Sequence, residues 1–126
     1  MIIGIGTDVV QITRIESLLE QYGYALIERI LSEAEKMRLS SLAAGLHANF
    51  LAKRFAAKEA TGKALGTGIG SIGFKDITIS NDETGKPYVE IDFQKFNLPA
   101  YNIDISLADD HPVALAFVII SLPVNK

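Results

Sequence analysis

The chain of 126 residues is long enough for one domain with a single hydrophobic core, and nothing in it resembles a linker or an internal repeat, so residues 1–126 are assigned to one domain. The absence of cysteine excludes disulfides, thiolate catalysis and cysteine-ligated zinc or iron–sulfur sites. The net charge is −3 and no basic stripe with interleaved aromatic residues occurs, which argues against nucleic acid as a partner. No apolar run is long enough for a membrane helix, so we expect a cytoplasmic protein without membrane contact.

The first element is a short isoleucine-rich run from Met1 to Thr7, which predicts a strand. Asp8 follows directly, so we expect its carboxylate at the carboxyl end of that strand. Gly4 and Gly6 lie within the run, and a glycine in a strand allows another backbone to approach closely.

Helices are predicted next. The spacing Thr13–Glu16 is typical of a capping box and predicts a helix to about Tyr22. A second capping box, Ser32–Glu35, predicts another helix. Asn49 is the expected N-cap of a third, long helix, and Gly66 is the residue expected to end it.

The second half of the sequence changes to the two-residue period of β-strands. Hydrophobic residues alternate in segments separated by turns, and the last apolar run, Val113 to Leu122, predicts a buried strand. A first strand, several helices and then hairpin-connected strands together predict an α+β fold. We expect a largely antiparallel sheet packed with the long central helix and the shorter helices.

The central helix carries charges in several directions, with apolar or small residues between them. Between residues 49 and 66 there are four basic residues and one acidic residue, which suggests an anionic ligand. The simpler alternative is solvation of the basic side chains, and for Lys53 we favour it. The charged residues are Lys53, Arg54, Lys58, Glu59 and Lys63.

Two carboxylates stand out as hard oxygen ligands, Asp8 and Glu59. A carboxylate on an alanine-lined helix is costly to bury unless it is paired or bound to a metal. With no cysteine and two histidines in the chain, these ligands would favour Mg²⁺ over zinc. The alternative is a surface ion pair between Glu59 and Lys63, worth only about 0.3–0.5 kcal/mol.

A glycine-rich loop follows the central helix. The run Gly68–Gly73 matches the pattern G-x-G-x-x-G, but it follows a helix and leads into a strand, which is the wrong context for a dinucleotide-binding fingerprint. No Lys-Ser/Thr follows the glycines, so the loop is not a Walker A motif either. We interpret the loop as exposed backbone amides that face an anion.

The two histidines, His47 and His111, have no accompanying nucleophile elbow, so a Ser-His-Asp triad is not supported. The run Asp109–Pro112 has the residue types of a metal cluster, but a solvated hairpin tip is the favoured interpretation.

Five motifs follow one another in order and are spread over nearly the whole chain. They are Gly4–Asp8, Phe50–Ala60, Gly66–Gly70, Asn81–Pro87 and Ser106–Asp109. The pattern Phe-x-x-Lys-Glu-Ala-x-x-Lys, joined to an early Asp and a late Gly-Lys-Pro, is the most specific part. Together these motifs resemble those of the holo-acyl-carrier-protein synthases.

The resemblance implies a phosphopantetheinyl transferase of fatty-acid synthesis. Such an enzyme moves the 4′-phosphopantetheine arm of coenzyme A to a serine of apo-acyl carrier protein, releases adenosine 3′,5′-bisphosphate and requires Mg²⁺. The short members of the family are homotrimers with their sites in the clefts between subunits, so we expect the same assembly here.

The resemblance also implies roles for individual residues. Asp8 and Glu59 would be the metal ligands, Lys63 would contact the pyrophosphate, and these three would form the catalytic set. Arg14 would contact the acidic carrier protein. A water activated by the metal is the favoured base for the serine proton, and Glu59 is the alternative. The nucleotide end of coenzyme A would be held by Arg54, Gly66, Thr67, Gly68, Lys86 and Pro87, together with Lys63.

One position departs from the family pattern. Many relatives have a histidine where Asp109 stands, and His111 lies two residues later. Two other classes of function remain open from the residues themselves. One is a non-catalytic module that binds coenzyme A, a nucleotide or a carrier protein, and the other is a structural trimer subunit whose helix charges form interface ion pairs.

Overall fold

The structure is a computed structural model that describes residues 1–66 and 71–124 of the chain. Its α-helices and β-strands follow one another in an order that begins with a strand, continues with helices and ends with strands. They are β1 (Ile2–Gln11), α1 (Ile12–Tyr22), α2 (Tyr24–Ile30), α3 (Glu33–Ser40), α4 (His47–Leu65), β2 (Ile77–Asn81), β3 (Pro87–Ile91), β4 (Asn102–Asp110) and β5 (Val113–Ser121).

The strands form two antiparallel sheets, one of three strands in the order β1–β5–β4 and one hairpin of β2 and β3. The predicted α+β class with largely antiparallel pairing is therefore confirmed. Alternation places every second residue of β5 on the side of α4, and these residues are completely buried. They are Ala114, Ala116, Val118 and Ile120.

Helix α4 lies directly on β1, because both elements present small residues at their contact. A Cβ atom on Gly6 would be 2.1 Å from the carbonyl oxygen of Ala60, and one on Gly4 would be 1.9 Å from that of Ala64. Such distances are far inside van der Waals contact, so only glycine permits this packing. The expected close approach of a backbone to this strand is confirmed.

Two details of β1 and α1 differ from the sequence prediction. Strand β1 extends to Gln11, so Asp8 lies inside the strand and not at its carboxyl end. Helix α1 begins at Ile12 directly after the strand, so the capping box predicted at Thr13–Glu16 does not form. The continuous passage from strand into helix leaves no separate N-cap segment. The predicted end at Tyr22 is confirmed, and Gly23 follows it with a positive φ of 56°.

The predicted boundaries of α3 and α4 are confirmed only in part. The predicted capping box of α3 is confirmed, with the Ser32 backbone N–H donating to Glu35 Oε1 at 2.9 Å. Helix α4 begins at His47, two residues before the predicted N-cap Asn49, whose side chain is directed to Asp109 instead. Gly66 ends α4 with a left-handed φ of 79°, as predicted. Helix α2 has no counterpart among the predicted elements.

Within the described ranges, none of the helices combines the length and apolar character required to cross a bilayer.

Candidate active site

Two grooves lie beside helix α4. The first, called the Asp8 groove, has a volume of about 830 Å³ and is lined by residues of β1, α1, α2 and α4, among them Asp8, Arg14, Arg29 and Glu59. The second, called the Arg54 groove, has a volume of about 770 Å³ and lies between α3, α4 and the β2–β3 hairpin. Its lining includes Glu35, Asn49, Lys53, Arg54, Asn81 and Asp82.

Asp8 faces α4 because it has the same strand parity as Gly4 and Gly6. Its cross-strand neighbour is Ala116, whose small side chain leaves space on this face. The Asp8 side chain is 15% exposed and lies 3.1 Å from Lys63 Nζ, measured to Oδ1. Lys63 Nζ also donates to the carbonyl oxygen of Thr7 at 2.9 Å. The close packing of β1 on α4 thus brings two of the predicted catalytic residues together.

Glu59 lies partly buried on α4 and lines the same groove as Asp8. Burial raises the pKa of the Glu59 carboxyl, the nearby negative charge of Asp8 raises this pKa further, and Lys63 acts in the opposite direction. Lys63 pairs with Asp8 and not with Glu59, so the alternative of a Glu59–Lys63 surface ion pair is wrong. A partly buried carboxylate whose ionisation is disfavoured by a neighbouring carboxylate is suited to bind a cation.

The carboxylate pair fits Mg²⁺ by its chemistry. Within the described residues, no group of three or more His, Cys, Asp or Glu side chains is arranged to hold a metal. Mg²⁺ is commonly bound by one or two carboxylates together with water and substrate phosphates, whereas a structural zinc site needs four protein ligands. Asp8 and Glu59 therefore match a magnesium site that is completed by a phosphate-containing substrate.

Arg54 is not solvated, contrary to the alternative considered from the sequence. It is 5% exposed, its Nη2 donates to Asn81 Oδ1 at 2.9 Å, and its guanidinium carbon lies 4.3 Å from the centre of the Phe50 ring. Burial lowers the pKa of Arg54, and the carboxylate of Glu35 opposes this shift. A buried cation on the wall of a groove is typical of a site for an anion.

Lys58 is also not solvated, because it is completely buried. Its Nζ donates to Glu35 Oε1 at 2.5 Å and to the carbonyl oxygens of Ile30 and Phe74 at 2.7 and 2.8 Å. Burial lowers the pKa of Lys58, and Glu35 again opposes the shift. Sequence reasoning recognised Glu35 only as part of a capping box. A charged residue in the middle of an apolar helix was the signal that a buried partner had to exist.

Asp109 interacts with two polar side chains of α4. It accepts a hydrogen bond from Asn49 Nδ2 at 2.9 Å and lies 3.1 Å from Lys53 Nζ. These groups lower the pKa of the Asp109 carboxyl, the Asn49 amide first and Lys53 second. The prediction that Lys53 is simply solvated is wrong, because the side chain forms an ion pair at the rim of the Arg54 groove.

The tip between β4 and β5 is a hairpin turn, as favoured from the sequence. His111 is exposed there and pairs with Glu16 at 2.9 Å, so it does not join Asp109 or Asp110 in a metal cluster. His47 lies beside the carbonyl oxygen of Leu42, with Nε2 at 3.0 Å, and takes no part in either groove.

The remaining predicted site residues fall in three places. Arg14 is exposed and lines the Asp8 groove, while Gly66 ends α4. Lys86 is exposed on the hairpin that borders the Arg54 groove, and its backbone N–H donates to Asp82 Oδ1 at 2.9 Å. Pro87 follows Lys86 at the start of β3. The predicted nucleotide contacts Thr67 and Gly68 lie outside the described residues.

A carboxylate pair beside a lysine, together with a separate groove that contains a buried arginine, is typical of enzymes that transfer phosphate-containing groups. Comparison with known proteins agrees with this class. The model of the 4′-phosphopantetheinyl transferase superfamily matches residues 4–116, and the chain belongs to this family.

Individual relatives support the assignment over the full chain. The holo-[acyl-carrier-protein] synthase of Orientia tsutsugamushi (strain Ikeda) is 46% identical over 131 residues, which cover 98% of this chain and 100% of the relative.

Among solved structures, a holo-(acyl-carrier-protein) synthase from Bacillus anthracis str. Ames in complex with CoA (3′,5′-ADP) has a TM-score of 0.86 at 36% identity, covering 98% of this chain and 99% of the other. A holo-[acyl-carrier-protein] synthase from Neisseria meningitidis has a TM-score of 0.85 at 39% identity, covering 96% and 99%. The resemblance inferred from the five motifs, and the transferase class that it implied, are confirmed.

Proposed function

We propose that this protein transfers the 4′-phosphopantetheine group of coenzyme A to a serine of apo-acyl carrier protein, giving the holo-carrier and adenosine 3′,5′-bisphosphate. The observation that carries the proposal is that Asp8 and Glu59 line one groove and that Lys63 pairs with Asp8. Membership of the transferase family and the relative of 46% identity support the same activity.

The reacting group is a pyrophosphate that carries several negative charges, so positive charge at the site is the main requirement for catalysis. Lys63 is long, about half exposed and tethered beside Asp8, which suits it to contact the phosphates. Asp8 and Glu59 would hold Mg²⁺, which neutralises pyrophosphate charge when it is bound. We assign these three residues as the catalytic set.

The serine hydroxyl of the carrier is a poor nucleophile until its proton is removed. Among the chain's own groups, Glu59 is the candidate base, because burial and Asp8 raise its pKa toward the range in which a carboxylate accepts a proton. Its position on the wall of the Asp8 groove supports this role, because Asp8 on the same wall pairs with Lys63, the residue proposed to contact the phosphates.

The nucleotide end of coenzyme A is assigned to the Arg54 groove. Arg54 provides a buried positive charge there, and Asn81 holds its guanidinium. Lys86 and Pro87 continue the border of this groove on the neighbouring hairpin. The similar Bacillus anthracis synthase is a complex with CoA (3′,5′-ADP), which supports coenzyme A as the ligand.

The two grooves are separate within one chain, because the buried residues of α4 lie between them. Lys58 contacts Ile30 and Phe74 of the Asp8 groove on one side and Glu35 of the Arg54 groove on the other. We therefore propose a homotrimer in which the Arg54 groove of one subunit faces the Asp8 groove of the next. The complete site would then lie between subunits.

The outer face of the three-stranded sheet supports this assembly. Several of the side chains that point away from α4 are large, apolar and exposed, and such residues together are unusual on the surface of a monomer. Exposed fractions are 62% for Ile5, 60% for Val9, 40% for Leu115 and 37% for Phe117. Burial of this surface against other copies of the chain would remove it from water.

The carrier protein is assigned to the mouth of the Asp8 groove. Arg14 and Arg29 both line it, and Tyr22, which also lines it, is an exposed aromatic residue. Arginine side chains near the reacting carboxylates suit an acidic protein partner. Coenzyme A and a carrier protein as substrates would place the enzyme in the cytoplasm.

The test is to incubate the purified protein with apo-carrier, coenzyme A and Mg²⁺ and to weigh the carrier by mass spectrometry. We expect a gain of one phosphopantetheine group per carrier, no gain when EDTA replaces Mg²⁺, and no gain with Glu59→Gln. If coenzyme A binds but the carrier never gains mass while a reference synthase modifies it, the protein is a binding module and not a transferase.

A further inference from the structure

Three ionisable side chains form a buried cluster between α3 and α4, beneath the Arg54 groove. Glu35, Arg54 and Lys58 are 2%, 5% and 0% exposed. When all three are ionised, one carboxylate faces two cations, so the cluster holds more positive than negative charge. Since an uncompensated buried charge is costly, the charge that the groove presents to a ligand depends on which cation Glu35 neutralises.

Glu35 neutralises Lys58. The ammonium group donates to Glu35 Oε1 and to the carbonyl oxygens of Ile30 and Phe74, so its three protons all have acceptors. The backbone N–H and the hydroxyl of Ser32 donate to the same Oε1 at 2.9 and 3.1 Å. Lys58 therefore has no donor left for a ligand.

Arg54 lacks a hydrogen bond to the carboxylate. Its Nε lies 3.9 Å from Glu35 Oε2, which instead accepts the backbone N–H of Ile79 at 3.0 Å. This Nε is buried and has no hydrogen-bond partner in the described part of the chain. The contacts that hold the guanidinium, Asn81 and the Phe50 ring, carry no charge. The wall of the groove therefore keeps a positive charge without a hydrogen-bonded counter-ion.

We propose that Lys58 is a positioning residue for anion binding, because by occupying Glu35 it keeps Arg54 available for the phosphate groups of the nucleotide. Lys58 lies behind the groove and acts through Glu35. Without the lysine, Glu35 would need to move by only about 1 Å to hydrogen-bond Arg54, and that pair would cancel the charge of the groove. The inference rests on the proposed function, in which this groove receives the nucleotide end of coenzyme A.

The experiment measures the affinity of adenosine 3′,5′-bisphosphate by isothermal titration calorimetry. The loss of affinity in Arg54→Gln measures how much the arginine contributes to nucleotide binding. We expect Lys58→Met to lose about tenfold or more in affinity, as Arg54→Gln does, because a charge-assisted phosphate contact is lost in both. The double variant Lys58→Met/Glu35→Gln should recover to within about threefold of the wild type, since no carboxylate remains to pair with Arg54.

The discriminating result is a loss of affinity in a Lys58→Met protein that circular dichroism shows to be folded, followed by recovery in the double variant. A purely structural lysine would change the stability of the fold but not the affinity of the folded protein. Lys75→Met is the matched control, since it breaks a 2.5 Å lysine–glutamate pair with Glu28 at the surface and should leave affinity unchanged. If Lys58→Met binds like the wild type, or if the double variant binds no better than Lys58→Met, the inference is overturned.

A variant that does not fold would be recognised by circular dichroism. In that case Glu35→Gln alone provides the test, with affinity expected to equal or exceed that of the wild type, and a tenfold loss would overturn the inference. Absence of nucleotide binding by the wild type would count against the proposed function itself. If the wild type binds the nucleotide and Arg54→Gln binds it with the same affinity, the nucleotide lies outside this groove. That result would overturn the inference but not the proposed function.

Discussion

Gly6 of β1 and Ala60 of α4 touch through their backbones, since a Cβ atom on Gly6 would lie 2.1 Å from the Ala60 carbonyl oxygen. Asp8 is two residues further along the same face of the strand, and Glu59 precedes Ala60 on the helix. The depth of this contact therefore sets how closely the two predicted metal ligands approach each other.

Gly6→Ala should move α4 away from β1 and separate the carboxylates. We expect a loss of stability of about 1–3 kcal/mol or more from overpacking, together with a weaker response of activity to Mg²⁺. Urea unfolding and a magnesium titration of transfer activity would measure the two effects. Gly45→Ala is the control, because a Cβ at Gly45 meets no atom within 4 Å. A Gly6→Ala protein with normal stability and magnesium response would contradict this packing argument.

Glu59→Gln should abolish transfer while leaving the fold intact. The raised pKa of Glu59 means that the folded protein penalises the charged form, so a neutral side chain of equal size relieves the penalty. We therefore expect a melting temperature equal to or above that of the wild type without metal, and no detectable carrier product. Full activity of this variant would exclude Glu59 as an essential ligand or base.

The stability of the metal-free protein should show the titration of Glu59. A carboxyl whose folded pKa is raised binds its proton more tightly in the folded state, so its destabilising effect is present at neutral pH and disappears as the pH falls through the folded pKa. The stability difference between wild type and Glu59→Gln should therefore shrink upon acidification from pH 7. Denaturant unfolding at several pH values would measure this stability difference. A difference that is constant with pH would contradict the raised pKa of Glu59.

Asp109→Asn should destabilise the protein slightly, by about 0.2–1 kcal/mol, because the ion pair with Lys53 is partly exposed. The lowered pKa of Asp109 stabilises the fold above the unfolded pKa and loses this effect as the pH falls through the folded pKa. A double-mutant cycle with Lys53→Met, measured by urea unfolding at pH 7 and in acid below the folded pKa of Asp109, would isolate the pair. If the two substitutions change the free energy of unfolding additively at pH 7, the two residues do not interact.

Phe117→Asp should dissociate the proposed trimer without unfolding the subunit, because the side chain is on the outer face of the sheet and 37% exposed in the single chain. Light scattering coupled to size-exclusion chromatography would report the mass of the particle. Met37→Asp is the control, since Met37 is 74% exposed on α3, away from the sheet. A trimer that persists in Phe117→Asp would show that this face is not the interface.

The sequence was most informative where structure depends on local chemistry. Gly23 and Gly66 end helices because glycine tolerates a positive φ, and Ser32 with Glu35 begins one because their groups cap each other over three residues. It was least informative at the starts of α1 and α4. There a strand continues directly into the first helix, and the side chain of Asn49 finds a partner 60 residues away.

For the site, the sequence by itself determined the identity of the family, because motif and spacing carry that information, and it predicted the set of Asp8, Glu59 and Lys63. Only the tertiary structure decided which charges meet. Lys58 with Glu35, Arg54 with Asn81 and Asp109 with Asn49 are joined across 23, 27 and 60 residues. Partners so distant in the chain are brought together by the packing of α4 against its neighbours. Hydrophobic burial and backbone contact determine this packing, and no local sequence pattern predicts it.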